Sequence, residues 1–243
     1  MISKNQLKLI RALGQKKQRK QLGQFLVQGE KNIVELLNST MSVKHIFATP
    51  EFISEYSAIL PAEKTVEASE NELTKVSTLS SNNAAIAVVD IPTTQLTDLS
   101  GITLVLDGVS DPGNLGTIIR LADWYGVKQV ICSEDCADTY NPKTISSTMG
   151  SFTRVNVTYQ NLEKVLSNNT LPVYGAYLGG ESVHTKEYAK DCLLIMGSES
   201  HGIREAASCF VTDKVTIPAY GAAESLNVAM ATGIILDNIK RTN

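Results

Sequence analysis

Three loops concentrate the residues whose types could do chemistry, and each follows an apolar run. The first, Leu106-Asp107-Gly108-Val109-Ser110-Asp111-Pro112-Gly113-Asn114-Leu115-Gly116, has three glycines that let backbone approach a ligand closely. Their spacing matches neither the dinucleotide G-x-G-x-x-G pattern nor a phosphate loop with its lysine. Asp111-Pro112-Gly113-Asn114 is turn chemistry, and Asn114 could simply cap the following helix. Six residues on, Arg120 falls in an otherwise apolar stretch, where an ordinary solvent-facing arginine is the plain alternative. The second loop, Met196-Gly197-Ser198-Glu199-Ser200-His201-Gly202-Ile203, holds an acid bracketed by glycines at a strand's carboxyl end. His201 lacks a Ser/Asp or Cys partner and receives no catalytic role. The third runs Val215-Thr216-Ile217-Pro218-Ala219-Tyr220-Gly221-Ala222-Ala223-Glu224-Ser225-Leu226-Asn227. Helix capping accounts for Glu224 and Ser225 but poorly for Asn227, since asparagine inside an apolar helix is unfavourable unless it bonds something.

The elements that position these loops alternate. Strands are expected at 102–106, 129–132, 154–158, 173–177, 193–196 and 214–217, with helices at 115–125, 142–149, 161–167, 203–208 and 224–239. That order points to a mostly parallel sheet covered on both faces, with ligands at the carboxyl ends of its strands. Residues 22–90 are shorter: strands at 24–28, 43–48, 65–68 and 84–89, and helices at 30–37, 50–60 and 70–76, a small α/β sandwich. The fold class is therefore α/β in two parts, residues 1–92 and 101–243, with the polar stretch 93–100 as linker.

At 243 residues, 43% hydrophobic and 19% charged, the chain has the composition of packed globular protein. No apolar run is long enough to span a bilayer and no signal core opens the sequence, so a cytoplasmic location is expected. Cys132 and Cys136 lack the second ligand pair of a zinc site, and all four cysteines are expected to be reduced core or near-core thiols, with no metal bound. Net charge is −3, yet the first twenty residues carry seven cations and no acid, leaving −10 on the remainder. A basic arm touching phosphate through Lys16, Lys17, Arg19 and Lys20 is one reading, and a solvated helix face is the other.

Together, LVLDGVSDPGNLGTIIRLADWYGV, LLIMGSESHGI and VTIPAYGAAESLNVAMATGIILDNI resemble, in order and spacing, the three motifs of the SpoU/TrmH branch of the SPOUT RNA methyltransferases. The amino half, through QFLVQGEKNIVELL and VKHIFAT, resembles the family's L30e-like substrate-binding domain. The resemblance implies a carboxyl-terminal trefoil knot, a homodimer joined through it, and S-adenosylmethionine bound by loop backbone near Gly197, Ile217 and Leu226. It implies catalytic and substrate-positioning roles for Asn114, Arg120, Glu199, Ser225 and Asn227. Ala219 and Ala222 stand where relatives often carry lysine, and Ser81-Asn82-Asn83-Ala84 where many have a proline–glutamine–glycine turn. An arginine common before the serine–glycine turn is missing from NPKTISSTMGSF.

The implied reaction is methyl transfer to a ribose 2′-hydroxyl, which makes the substrate RNA, with 23S ribosomal RNA favoured over transfer RNA. Arg120 is then either an unusual base aided by an RNA phosphate or a cation stabilising the developing alkoxide. A nicotinamide oxidoreductase would need different glycine spacing and leaves two loops unexplained. A silent RNA-binding protein would not need Arg120 and Asn227.

Overall fold

The computed structural model describes residues 2–242 as two units, the first formed by 2–93 and 138–153, the second by 94–137 and 154–242. Ser3 caps α1 (Lys4–Leu13) with a reciprocal bond to Gln6, and α2 (Lys16–Leu22) ends at Gly23 in the left-handed conformation. The expected basic arm is thus two ordered helices, with Ile10 and Leu13 in a core. There follow β1 (Gln24–Gln28), α3 (Glu30–Leu37), β2 (Val43–Ala48), α4 (Pro50–Glu55), β3 (Thr65–Glu67), α5 (Glu70–Val76) and β4 (Ala85–Asp90). The sheet order is β1-β4-β2-β3, with β4 antiparallel to both neighbours. Side chains alternate as the pleat demands. Phe25, Val27, Ala85, Ala87 and Val89 join the core under α3 and α4, while Leu26, Ile86 and Val88 join that under α1 and α5.

The second unit opens with β5 (Ile102–Asp107), α6 (Pro112–Trp124) and β6 (Gln129–Cys132). Next, α7 (Pro142–Thr148) belongs to the first unit, where Ile145 and Phe152 pack beside Phe25. Residues 138–153, expected in the second half, therefore fold with the first. Gly150, at φ +97°, lies against Glu35 so closely that a Cβ would fall 2.3 Å from its Cγ. The second unit resumes with β7 (Asn156–Tyr159), α8 (Leu162–Ser167), β8 (Val173–Ser182), β9 (Cys192–Gly197), α9 (Glu205–Ser208), β10 (Asp213–Thr216) and α10 (Val228–Thr242). All six strands are parallel, in the order β10-β8-β9-β5-β6-β7. Leu104, Leu106, Leu194 and Met196 face α6 and α10, and Val105, Ile131, Leu193 and Ile195 face α8 and α9. Burial on both faces is why these strands read as unbroken apolar runs.

Helix ends depart from the sequence reading. Helix α6 starts at Pro112 because Asp111, not Asn114, caps it. Helix α4 stops at Glu55, and β8 extends to Ser182. Glu224 and Ser225 lie outside α10, which Asn227 caps: its Oδ1 accepts from the amides of Ala229 and Met230. Three of the four thiols are buried, whereas Cys209 is exposed.

Candidate active site

Loops at the carboxyl ends of β8, β9 and β10 enclose a cavity of about 810 Å³. One wall exists because β10 pairs Lys214 with Gly175 but Val215 with Glu181, so that residues 176–180 of β8 bow outward. Gly180 makes this possible, since a Cβ there would sit 2.5 Å from the Lys214 carbonyl oxygen. The second wall is the turn after β9, closed by paired bonds between Ser198 and Gly202. Gly197 underlies that turn, and a Cβ on it would meet the Gly202 carbonyl carbon at 2.1 Å. The third is the segment Pro218–Leu226, none of whose polar groups makes a hydrogen bond among the described residues. Gly197, Ile217, Leu226 and Ser225 all line this cavity.

At its mouth the three loops meet in one cluster. Glu199 Oε1 accepts from Asn114 Nδ2 at 3.0 Å and from Asn227 Nδ2 at 3.0 Å. Asn227 Nδ2 also donates to Asn114 Oδ1 at 2.9 Å, closing a triangle. One carboxylate oxygen thus organises two amides from different helix starts, and the cluster faces solvent. Asn227 is in place because the same side chain caps α10 through its oxygen and holds Glu199 through its nitrogen. This arrangement resolves the asparagine that helix propensity alone left unexplained.

Arg120 is not part of this cluster. Six residues along a helix turn a side chain about 120° away from its starting face. Arg120 instead shares an exposed stripe of α6 with Thr117 and Trp124, and no bond to it forms among the described residues. Arg19, expected on an RNA-binding arm, is placed otherwise by the structure. It is 2% exposed, its Nη2 lies 2.6 Å from Asp138 Oδ2, and its Nη1 donates to the last carbonyls of α1. A side chain so engaged holds helices together and is not offered to phosphate. Lys16, Lys17 and Lys20 remain exposed.

Sequence reasoning missed Asp107 and Arg204. Asp107, buried at the end of β5, accepts from the Arg204 backbone amide at 2.7 Å and from its guanidinium. Arg204 Nη1 also reaches Asp135 at 2.8 Å. The Ser133 hydroxyl and then Arg204 hold the Asp135 carboxyl below its usual range, while both acids push the guanidinium further up. This network fastens the turn carrying Glu199 to the strand that leads into Asn114. The signal that the sequence carries for this bridge is an acid, Asp107, directly after the apolar run 102–106.

The sequence pattern of the SpoU rRNA methylase family matches residues 101–237, and that of the MRM3-like substrate-binding domain matches residues 4–87. The chain belongs to the SpoU rRNA methylase family. It is 33% identical, over 98% of its own length and 97% of the relative's, to the 23S rRNA (guanosine(2553)-2′-O)-methyltransferase RlmP of Bacillus subtilis. A solved TrmH-family structure from Porphyromonas gingivalis superposes with a TM-score of 0.90 at 35% identity, covering 100% of both chains. An S-adenosylmethionine-bound rRNA methyltransferase from Sinorhizobium meliloti superposes at 0.87 with 27% identity, covering 99% of this chain and 97% of that one. The family is one of RNA 2′-O-methyltransferases that use S-adenosylmethionine, and residues 4–87 are similar to a substrate-binding domain found in such enzymes.

Proposed function

We propose that this protein transfers the methyl group of S-adenosylmethionine to a ribose 2′-hydroxyl of 23S ribosomal RNA in the cytoplasm. The observation that carries this reading is the Asn114–Glu199–Asn227 cluster at the mouth of a cavity sized for the cofactor. The cavity fits that group. Buried Met196, Val215 and Ile235 offer an apolar recess for a purine, and the unbonded backbone of Pro218–Leu226 offers donors and acceptors to its edge. Gly197, Ile217 and Leu226 would hold the cofactor, which supplies an electrophilic methyl on a sulfonium.

The protein's own task is to place the hydroxyl and assist loss of its proton. Asn114, Asn227 and Ser225 offer polar groups that fix the ribose, with Glu199 orienting both amides. Arg120 acts as a cation on the developing alkoxide, because a guanidinium that stays protonated donates but does not accept. Its position on the outer stripe of α6 supports supply from a second protomer, and so a homodimer. Trp124, 83% exposed, and Met230, 63% exposed, give that helix pair an apolar surface suited to a partner copy. Parallel β10 lying beside β8, rather than β9, is compatible with the knotted path of the family. Lys16, Lys17 and Lys20 contact phosphate from the amino unit.

The test is methyl incorporation into an unmodified 23S transcript of the source organism, followed by mapping of ribose methylation. Incorporation at one ribose supports the reading. Methylation of transfer RNA alone, or binding of RNA without any incorporation, overturns it.

A further inference from the structure

We infer that Tyr220 is the platform on which the base of the target nucleotide stacks while its ribose is methylated. This rests on the reading of RNA as the acceptor. Tyr220 is 91% exposed in the cavity's third wall, and its hydroxyl has no partner among the described residues. A tyrosine so exposed places a large apolar ring in water, whereas a ring recruited for packing would be covered. Its neighbours Ala219, Gly221, Ala222 and Ala223 are too small to shield it.

Position decides what the ring meets. On the proposed reading the accepting hydroxyl lies at the Asn114–Glu199–Asn227 cluster, and Glu199 lines the same cavity as Tyr220, which puts the attached base towards that cavity's rim. Two tyrosines line the cavity. Tyr177 is committed, with its hydroxyl 2.6 Å from Ser208 Oγ and Lys214 Nζ 4.8 Å from its ring centroid. The His201 ring is engaged by Ser200 through Nδ1 at 2.8 Å. Tyr220 alone of the three is uncommitted. Bases taken out of a helix are held by stacking on such rings, and stacking accepts any base because each has a π-face. Tyr220 therefore sets affinity for the flipped nucleotide, while the choice of position comes from elsewhere.

The experiment compares wild type, Tyr220→Phe and Tyr220→Ala on the unmodified 23S transcript, with S-adenosylmethionine binding measured separately by calorimetry. Tyr220→Ala is expected to raise the RNA KM about tenfold, equivalent to ~1.4 kcal/mol, as expected for losing one stack. Tyr220→Phe should stay within about threefold of wild type, because the ring face is kept. Cofactor Kd and the methylated position should not change. A weaker cofactor Kd in Tyr220→Ala with unaltered RNA KM would overturn the inference and make Tyr220 a cover for the cofactor. An unaltered RNA KM and cofactor Kd would overturn it as well. No incorporation by wild type would instead defeat the reading beneath it.

Discussion

Asn227 does two jobs through one amide, and they separate by substitution. Its oxygen caps α10 and its nitrogen holds Glu199 and Asn114. Asn227→Ala should lose about 1 kcal/mol of stability with the cap and at least about 100-fold in single-turnover rate with the donor. Asn227→Ser restores an oxygen for the cap but supplies no amide nitrogen. It should therefore recover most of the thermal stability and little of the rate. Recovery of both together would mean that the cap was the residue's only contribution. At Arg120, alanine should nearly abolish turnover while the melting temperature stays near wild type, because the side chain is exposed and unbonded within the protomer. Lysine keeps the charge but loses the planar fork and should fail almost as badly. Near-normal turnover by Arg120→Ala would remove it from the mechanism. Single-turnover methylation at saturating cofactor, paired with thermal melts, measures all four variants.

Within α2, residues of one chemical type divide by burial. Arg19→Ala strands Asp138 and the last carbonyls of α1, which should lower urea-unfolding stability by about 3 kcal/mol. Charge reversal of Lys16, Lys17 and Lys20 should leave stability within about 0.5 kcal/mol but weaken RNA binding and flatten its salt dependence. An unchanged salt slope would return these lysines to a solvated face. Truncating the first twenty residues is uninformative, because Ile10 and Leu13 would leave the core with them. Sequence pattern could not separate Arg19 from its neighbours, since the partner that buries it lies 119 residues away. The same limit hid the Asp107–Arg204 bridge and the folding of α7 with the amino unit. What local pattern revealed was the strand–helix alternation and the three loops, because continuous apolar runs and glycine turns are local signals. Acid should loosen the inter-element ties in a defined direction. Lys186 and then the Thr212 hydroxyl hold the Asp213 carboxyl below its usual range, and the Ser69 and Ile2 amides do the same for Glu72. A carboxyl with depressed folded pKa adds stability above its unfolded pKa of about 4 and loses it as pH falls through the folded value. The melting temperature should therefore hold from about pH 7 to 5 and drop below about pH 4, and Asp213→Asn should soften that drop. A Tm that rises on acidification would contradict this sign.

For the whole molecule the question is whether one protomer holds a complete site. Asn114, Glu199 and Asn227 meet in one place, and Arg120 projects from a different face of α6 alongside exposed Trp124. If a two-fold partner packs on that stripe, each site takes its amides from one chain and its guanidinium from the other. Symmetry then makes complementation quantitative. Arg120→Ala and Asn227→Ala should each be inactive as homodimers. Co-expressed with different tags, half of the randomly paired dimers are mixed, and each mixed dimer carries one site with both residues intact. Turnover of the unfractionated mixture should return to about one quarter of wild type. Purification through both tags should isolate mixed dimers at about one half. If Arg120 served its own protomer, every site in a mixed dimer would carry one lesion and no activity would return. Trp124→Glu should complete the case by giving a monomer in sedimentation that binds S-adenosylmethionine but transfers no methyl group. A monomeric Trp124→Glu with full turnover would show that a single chain suffices.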